Sequence, residues 1–157
     1  MGRKSTKENK SIYQEYREEN GLTRAKAAEI MSFSESSLEK IESGKQLANP
    51  DDIVLMADAY RKPELCNHYC STECPIGMRY VPKVECVHDL PQIAMELLSK
   101  INSLSKEKDR IIDIAADGKV SEDESKDFQT FRNHLSEMAL AIETLRLWAD
   151  KELERNV

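Results

Sequence analysis

Residues 21–44, GLTRAKAAEIMSFSESSLEKIESG, decide how this chain folds. Thr23 is a helix N-cap residue, and Ala27, Ala28 and Met31 fall at i, i+1 and i+4 on one inward face. Ser32-Phe33-Ser34 breaks that pattern and leaves Ser34 to cap a second helix. The second helix turns Leu38 and Ile41 inward and stops at Gly44, a residue suited to a left-handed C-terminal cap. Small Ala28 and Ser32 let the two helices approach closely at the turn between them.

Working outward, Ile12 and Tyr16 at i, i+4 predict an earlier helix over 11–20 that packs through those two side chains. On the other side, Asn49-Pro50-Asp51-Asp52 reads as a helix start: an Asn cap, Pro in the first turn, and acids near the positive end of the dipole. Ile53, Met56, Ala57 and Tyr60 give that helix one apolar face, and Lys62-Pro63 ends it. Two short helices meeting through a tight turn have helix-turn-helix geometry, in which the second helix lies in the DNA major groove. Residues 10–62, 53 of the 157, resemble the Cro/lambda-repressor (xenobiotic-response-element) family. The matching residues are Gly21-Leu22-Thr23, Ala28-Glu29, Ser34, Leu38, Ile41-Glu42 and Gly44-Lys45.

The resemblance implies a compact bundle of about five helices and a dimeric DNA-binding regulator of transcription. It implies that Arg17 pairs with Glu42 to brace the first helix against the recognition helix. It also implies that bases are read from Glu35, Ser36 and Lys40, with Ser37 and Glu39 flanking them. Lys40 has the chemistry to donate to guanine O6 and N7, Ser36 to bond several bases, and Glu35 to accept from the cytosine amine. Glu35 equally suits the helix dipole. Arg24, Lys26 and Lys45 stand where phosphates pass.

Charge complicates this reading. The chain carries a net −6, opposite to the footprint of a DNA binder. Residues 1–62 hold 11 basic and 11 acidic side chains, whereas residues 63–157 hold 12 and 18. The candidate DNA-binding part is therefore neutral, and Glu35 and Glu39 oppose phosphate. That balance keeps a second reading open: a protein-interaction or structural adaptor that retains the fold without binding DNA. Residues 1–10, with Arg3, Lys4, Lys7 and Lys10, form a basic flexible arm. No run of about 18 apolar residues exists to span a membrane, and the N-terminus lacks the apolar segment of a secretory signal. A cytoplasmic location is expected.

Residues 63–88 form a cysteine-rich connector. Cys66, Cys70, Cys74 and Cys86 follow C-x3-C-x3-C-x11-C, with His68 and His88 interleaved. In a cytoplasmic chain such clustering points to metal or redox chemistry before disulfides. Four thiolates close a tetrahedral Zn2+ site, and an iron–sulfur cluster takes the same ligands. Thiol sensing, or plain burial of small side chains, explains the cysteines as well.

Residues 89–157 read as a helical hairpin. Leu90, Ala94, Leu97, Ile101, Leu104, Lys108, Ile111 and Ala115 alternate in 4,3 spacing, and Phe128, Phe131, Leu135, Met138, Ile142, Leu145 and Ala149 in 3,4. Asp117-Gly118 ends the first helix and Ser121-x-x-Glu124 is a capping box for the second. The short turn makes the pair antiparallel. Its apolar surface is too wide for two helices to bury, so it should pair with a second hairpin or with the bundle, and homodimerisation through the hairpin is expected. Asp113 to Glu124 also echoes a calcium loop, but Ala115 stands where a ligand oxygen is needed. No nucleophile motif, phosphate loop or metalloprotease pattern is present, so no enzymatic activity is expected. The fold expected is all-α: a five-helix helix-turn-helix bundle followed by a long antiparallel helical hairpin.

Overall fold

The computed structural model of the chain describes the backbone of residues 10–155 and the side chains of residues 10–153. Among these residues there are eight helices and no strand, the all-α architecture expected. The chain divides into two compact units, Met1–Val81 together with Leu153–Val157, and Pro82–Glu152. Of the basic arm at 1–10, only Lys10 lies among the described residues; its Nζ is 2.6 Å from Glu18 Oε2.

The first unit holds α1 (Ile12–Glu19), α2 (Arg24–Met31), α3 (Glu35–Glu42), α4 (Pro50–Tyr60), α5 (Glu64–Thr72) and the short α6 (Gly77–Tyr80). Side-chain caps start the first four. Ser11, Thr23 and Ser34 accept from Gln14 N, Lys26 N and Ser37 N, and Asn49 with Asp52 forms a complete capping box. Each cap satisfies an amide that the helix itself leaves unpaired. The same four helices are each followed by a left-handed residue: Gly21, Ser32, Gly44 and Arg61. At Gly44 the Lys45 amide returns to Lys40 O at 2.8 Å and the Gly44 amide to Ile41 O at 3.0 Å. This crossed pair of bonds closes the carbonyl end of α3.

The core gathers Ala27, Ala28 and Met31 of α2, Leu38 and Ile41 of α3, and Ile53, Met56, Ala57 and Tyr60 of α4. These are the side chains whose spacing turns them inward in the sequence. The first helix is rotated relative to expectation. Tyr13, Gln14 and Arg17 are its buried residues, while Ile12 and Tyr16 are only partly buried against the core. The physical reason is polar: Arg17 reaches a buried acid and Tyr13 donates from its hydroxyl to Glu73.

The bundle does not end at Lys62. Pro63 opens α5, which places Leu65 fully in the core, so the fifth helix of the bundle is the first half of the expected connector. Two contacts tie α5 and its approach to α1: Tyr13 stands edge-on to His68, and Lys62 Nζ lies 4.6 Å over the Tyr16 ring. After α5 the backbone folds back tightly on it. A Cβ on Gly77 would lie 2.1 Å from Cys70 O, so no side chain fits there.

The second unit contains α7 (Leu90–Ala115) and the part of α8 (Ser125–Arg155) that lies within it. Asp89 caps α7 through Gln92 N. The helices run antiparallel: Lys100 pairs with Glu137 at 2.7 Å and Arg110 with Asp127 at 2.6 Å, so ten residues forward on α7 match ten back on α8. Glu124 Oε2 accepts from both Ser121 N and Ser121 Oγ, but this pair forms a separate turn and α8 begins only at Ser125. Asp117 Oδ1 accepts from Lys119 N, which makes the loop a hydrogen-bonded turn.

The hairpin seam also departs from expectation. The less exposed positions on α7 are Ile93, Ala94, Leu97, Lys100, Ser103, Leu104, Glu107, Ile111 and Ile114. On α8 they include Phe131, His134, Met138, Ala141 and Leu145. The spacing is heptad-like, but alternate positions sit one residue away from the all-apolar reading. Polar pairing draws them there, since Lys100 bonds Glu137 and Glu107 Oε1 lies 2.8 Å from His134 Nδ1.

Candidate nucleic-acid interface

The second helix of the turn, α3, has two sharply different sides. Leu38, Ile41 and Glu42 face inward and are buried, which fixes the helix about its own axis. Glu35, Ser36, Glu39 and Lys40, at i, i+1, i+4 and i+5, form its exposed side. Ser37 stands at the border; its amide donates to Ser34 Oγ at 3.0 Å, and the two hydroxyls are 2.9 Å apart. The α3 N-terminus is thus capped from within, with the positive end of its dipole beside Glu35.

What holds α3 in place is a buried carboxylate. Glu42 Oε1 is 2.5 Å from Arg17 Nε, and Oε2 accepts from Arg17 Nη2 at 3.1 Å and from Arg24 Nε at 3.0 Å. The Arg17–Glu42 pair is the brace that the family resemblance implies. Burial alone would lower the pKa of the Arg17 guanidinium; the Glu42 bond and charge outweigh burial and hold it above its ordinary value. Arg17 also donates to Leu22 O at 2.8 Å, so the bracket reaches the loop before α2.

The second arginine on Glu42 was not expected. Arg24 bonds Glu42 through Nε, and its two terminal nitrogens make no hydrogen bond among the described residues. The available signal was a lone buried acid flanked in sequence by two arginines, although spacing alone does not say that both converge. Lys26 makes an exposed ion pair with Glu29 at 2.9 Å, a contact that costs little to exchange for a phosphate. Lys40 and Lys45 are exposed and make no ion pair among the described residues. On these surfaces of α2, α3 and the loop after it, four cations (Arg24, Lys26, Lys40, Lys45) meet three carboxylates (Glu29, Glu35, Glu39).

Among the described residues no three His, Cys, Asp or Glu side chains are grouped to hold a metal ion. Cys66 and Cys70 lie on α5 and Cys74 two residues after it; all three are half-buried. Cys86 belongs to the other unit, where it is exposed with Sγ 3.2 Å from His88 Nε2. α5 commits Leu65 to the core, and that sets where Cys66 and Cys70 lie in the first unit.

No helix among the described residues is long and apolar enough to cross a membrane. Comparison with known families matches residues 14–65 to the model of a helix-turn-helix domain. No curated protein and no solved structure matches the chain. The matched stretch begins inside α1 and ends at Leu65, the α5 residue buried in the core, so it takes in the brace, the turn and α3. Residues 14–65 of this chain form a helix-turn-helix domain.

Proposed function

We propose that the chain is a sequence-specific transcriptional regulator of the Cro/C1 type, binding double-stranded DNA as a dimer. The observation that carries this reading is the two-sidedness of α3. Its inner side is locked by Leu38, Ile41 and the Glu42 bracket, while Ser36 and Lys40 project outward on a helix of major-groove size. Ser36 and Lys40 read base edges, Glu35 accepts from cytosine, and Ser37 stands beside them. Arg24, Lys26 and Lys45 follow phosphates. The hairpin joins two such units so that both reach half-sites about 34 Å apart. No catalytic role is assigned.

Modulation through the cysteines belongs to the same proposal. It is supported by the place of α5, which carries Cys66 and Cys70, packs on α4 and puts Leu65 into the core that α2 and α3 share. If replacing both with serine leaves metal content and DNA affinity unchanged, that element falls. One observation favours an adaptor instead: two exposed carboxylates, Glu35 and Glu39, share the outer side of α3 with one lysine.

The deciding experiment is selection from a pool of genomic DNA fragments at low and moderate salt. A sequence reader retains discrete fragments at moderate salt. Lys40→Ala weakens them by about 1–3 kcal/mol, or roughly five- to 150-fold. Replacing Arg24, Lys26 or Lys45 with alanine weakens all fragments alike and lowers the salt slope by about 0.9 for each phosphate that is no longer neutralised. Enrichment no better than bulk DNA would establish the adaptor.

A further inference from the structure

The hairpin keeps polar side chains in its own seam and leaves apolar ones outside it. Lys100, Glu107 and His134 lie between the helices, whereas Ile101, Ile112, Leu135 and Ile142 remain 42, 56, 44 and 46 % exposed. Leu135 and Ile142 follow Phe131 and Met138 by one turn each on α8 and so extend the side that those two residues occupy. Ile101, Leu104, Ile111 and Ile112 of α7 line a groove of about 510 Å³ with Phe131 and Met138 of α8. Lys108 also lines it and makes no ion pair among the described residues. We propose that this groove is occupied by the same groove of a second copy, making an antiparallel four-helix bundle about a two-fold axis, with Lys108 fixing its register.

Three considerations select a second copy. The first is periodicity: the 4,3 series through Ile101, Leu104, Lys108 and Ile111 is the inner series of a bundle helix, which needs an apolar face wider than a two-helix seam. The second is area. From Leu90 to Ile112 the side is about 33 Å long and two helices, about 20 Å, wide. This gives roughly 600 Å² per copy, about 1,200 Å² in total, the lower bound of a specific stable interface. The third is symmetry: one apolar patch set against its own copy about a two-fold axis makes an isologous contact that closes at two. A single lysine among apolar inner positions selects one register and one stoichiometry at a cost in stability.

This inference deepens the dimer part of the proposed function and is tested apart from it. Sedimentation of the full chain at micromolar concentration should give about twice its 18.0 kDa mass. Ile112→Glu combined with Leu135→Glu should raise the dissociation constant about a hundredfold by forcing carboxylates into an apolar contact. Both sites are exposed in the single chain, so circular dichroism should be unchanged. Lys108→Leu should tighten association or admit larger species. Leu47→Glu, at an apolar residue of the first unit that is 81 % exposed, should stay dimeric. A monomeric wild-type chain, a stoichiometry other than two, or a dimer indifferent to the double substitution overturns the inference. A dimer that selects no DNA leaves it standing and removes the regulator, and a monomer that selects DNA does the reverse.

Discussion

At Glu42 one side chain fastens three helices, because its two oxygens meet Arg17 of α1 and Arg24 of α2 from a position on α3. Its side chain is nearly fully buried and that of Arg17 is 6 % exposed. Removing one partner of such a pair strands the other charge away from water. Glu42→Ala is therefore expected to cost about 3–5 kcal/mol in urea unfolding. The double variant Arg17→Met with Glu42→Leu is expected to recover most of that, because no buried charge is then left unpaired. A double variant no better than the single one would show that the bracket matters by shape and not by charge. A smaller effect sits at Ser32, which closes α2 at φ 57, where a Cβ is disfavoured. Ser32→Gly should raise stability by up to about 1 kcal/mol, read as a higher urea midpoint at constant slope.

Among the elements, those with caps were legible in sequence. Thr23, Ser34 and Asn49-Pro50 mark the starts of α2, α3 and α4, and their apolar spacing marks the buried sides. The outer side of α3 came from the family resemblance, and it agrees with Leu38 and Ile41 pointing in, which forces Ser36 and Lys40 out. Three things were not legible, each for a polar reason. The first helix buries Tyr13 toward Glu73, a partner 60 residues away, beside the Arg17–Glu42 brace that the resemblance does imply. The fifth helix hides in a polar, cysteine-bearing stretch where Leu65 is its only fully buried apolar residue. The hairpin seam is displaced by ion pairs that hydrophobic spacing cannot register. Gly77 tests the α5–α6 contact. Gly77→Ala would drive a Cβ into the Cys70 carbonyl and should cost about 1–3 kcal/mol, measured by thermal unfolding.

The hairpin makes its own prediction about acid. Lys100 holds the Glu137 carboxyl below its ordinary pKa, and bonds from the Ser121 amide and hydroxyl do the same for Glu124. Groups with depressed folded pKa values bind protons more weakly in the folded state than in the unfolded one. Their contribution is therefore present above the unfolded glutamate value of about 4.3 and is lost as pH falls through the lowered folded values. The urea midpoint of the hairpin should decline below about pH 5, and Lys100→Ala should flatten the part of that decline due to Glu137. A decline of unchanged steepness in the variant would assign the acid sensitivity elsewhere.

Over the whole molecule, the chain's chromophores are divided between its two compact units. Its one tryptophan is Trp148, in the second unit, while Tyr13, Tyr16, Tyr60, Tyr69 and Tyr80 all lie in the first. Tryptophan fluorescence therefore follows the hairpin and tyrosine absorbance follows the helix-turn-helix unit, within the same sample. Two units with separate cores need not unfold in one step, and a unit whose apolar side is covered by a second copy gains stability with concentration. The expected result is two unfolding transitions. The Trp148 midpoint should rise when protein concentration is raised a hundredfold, and the tyrosine midpoint should not. Glu42→Ala should lower only the tyrosine transition, and Ile112→Glu with Leu135→Glu should abolish only the concentration dependence at Trp148. Coincident transitions that move together in every variant would mean that the two units form one cooperative body, and that the stability of α3 cannot be set apart from that of the hairpin.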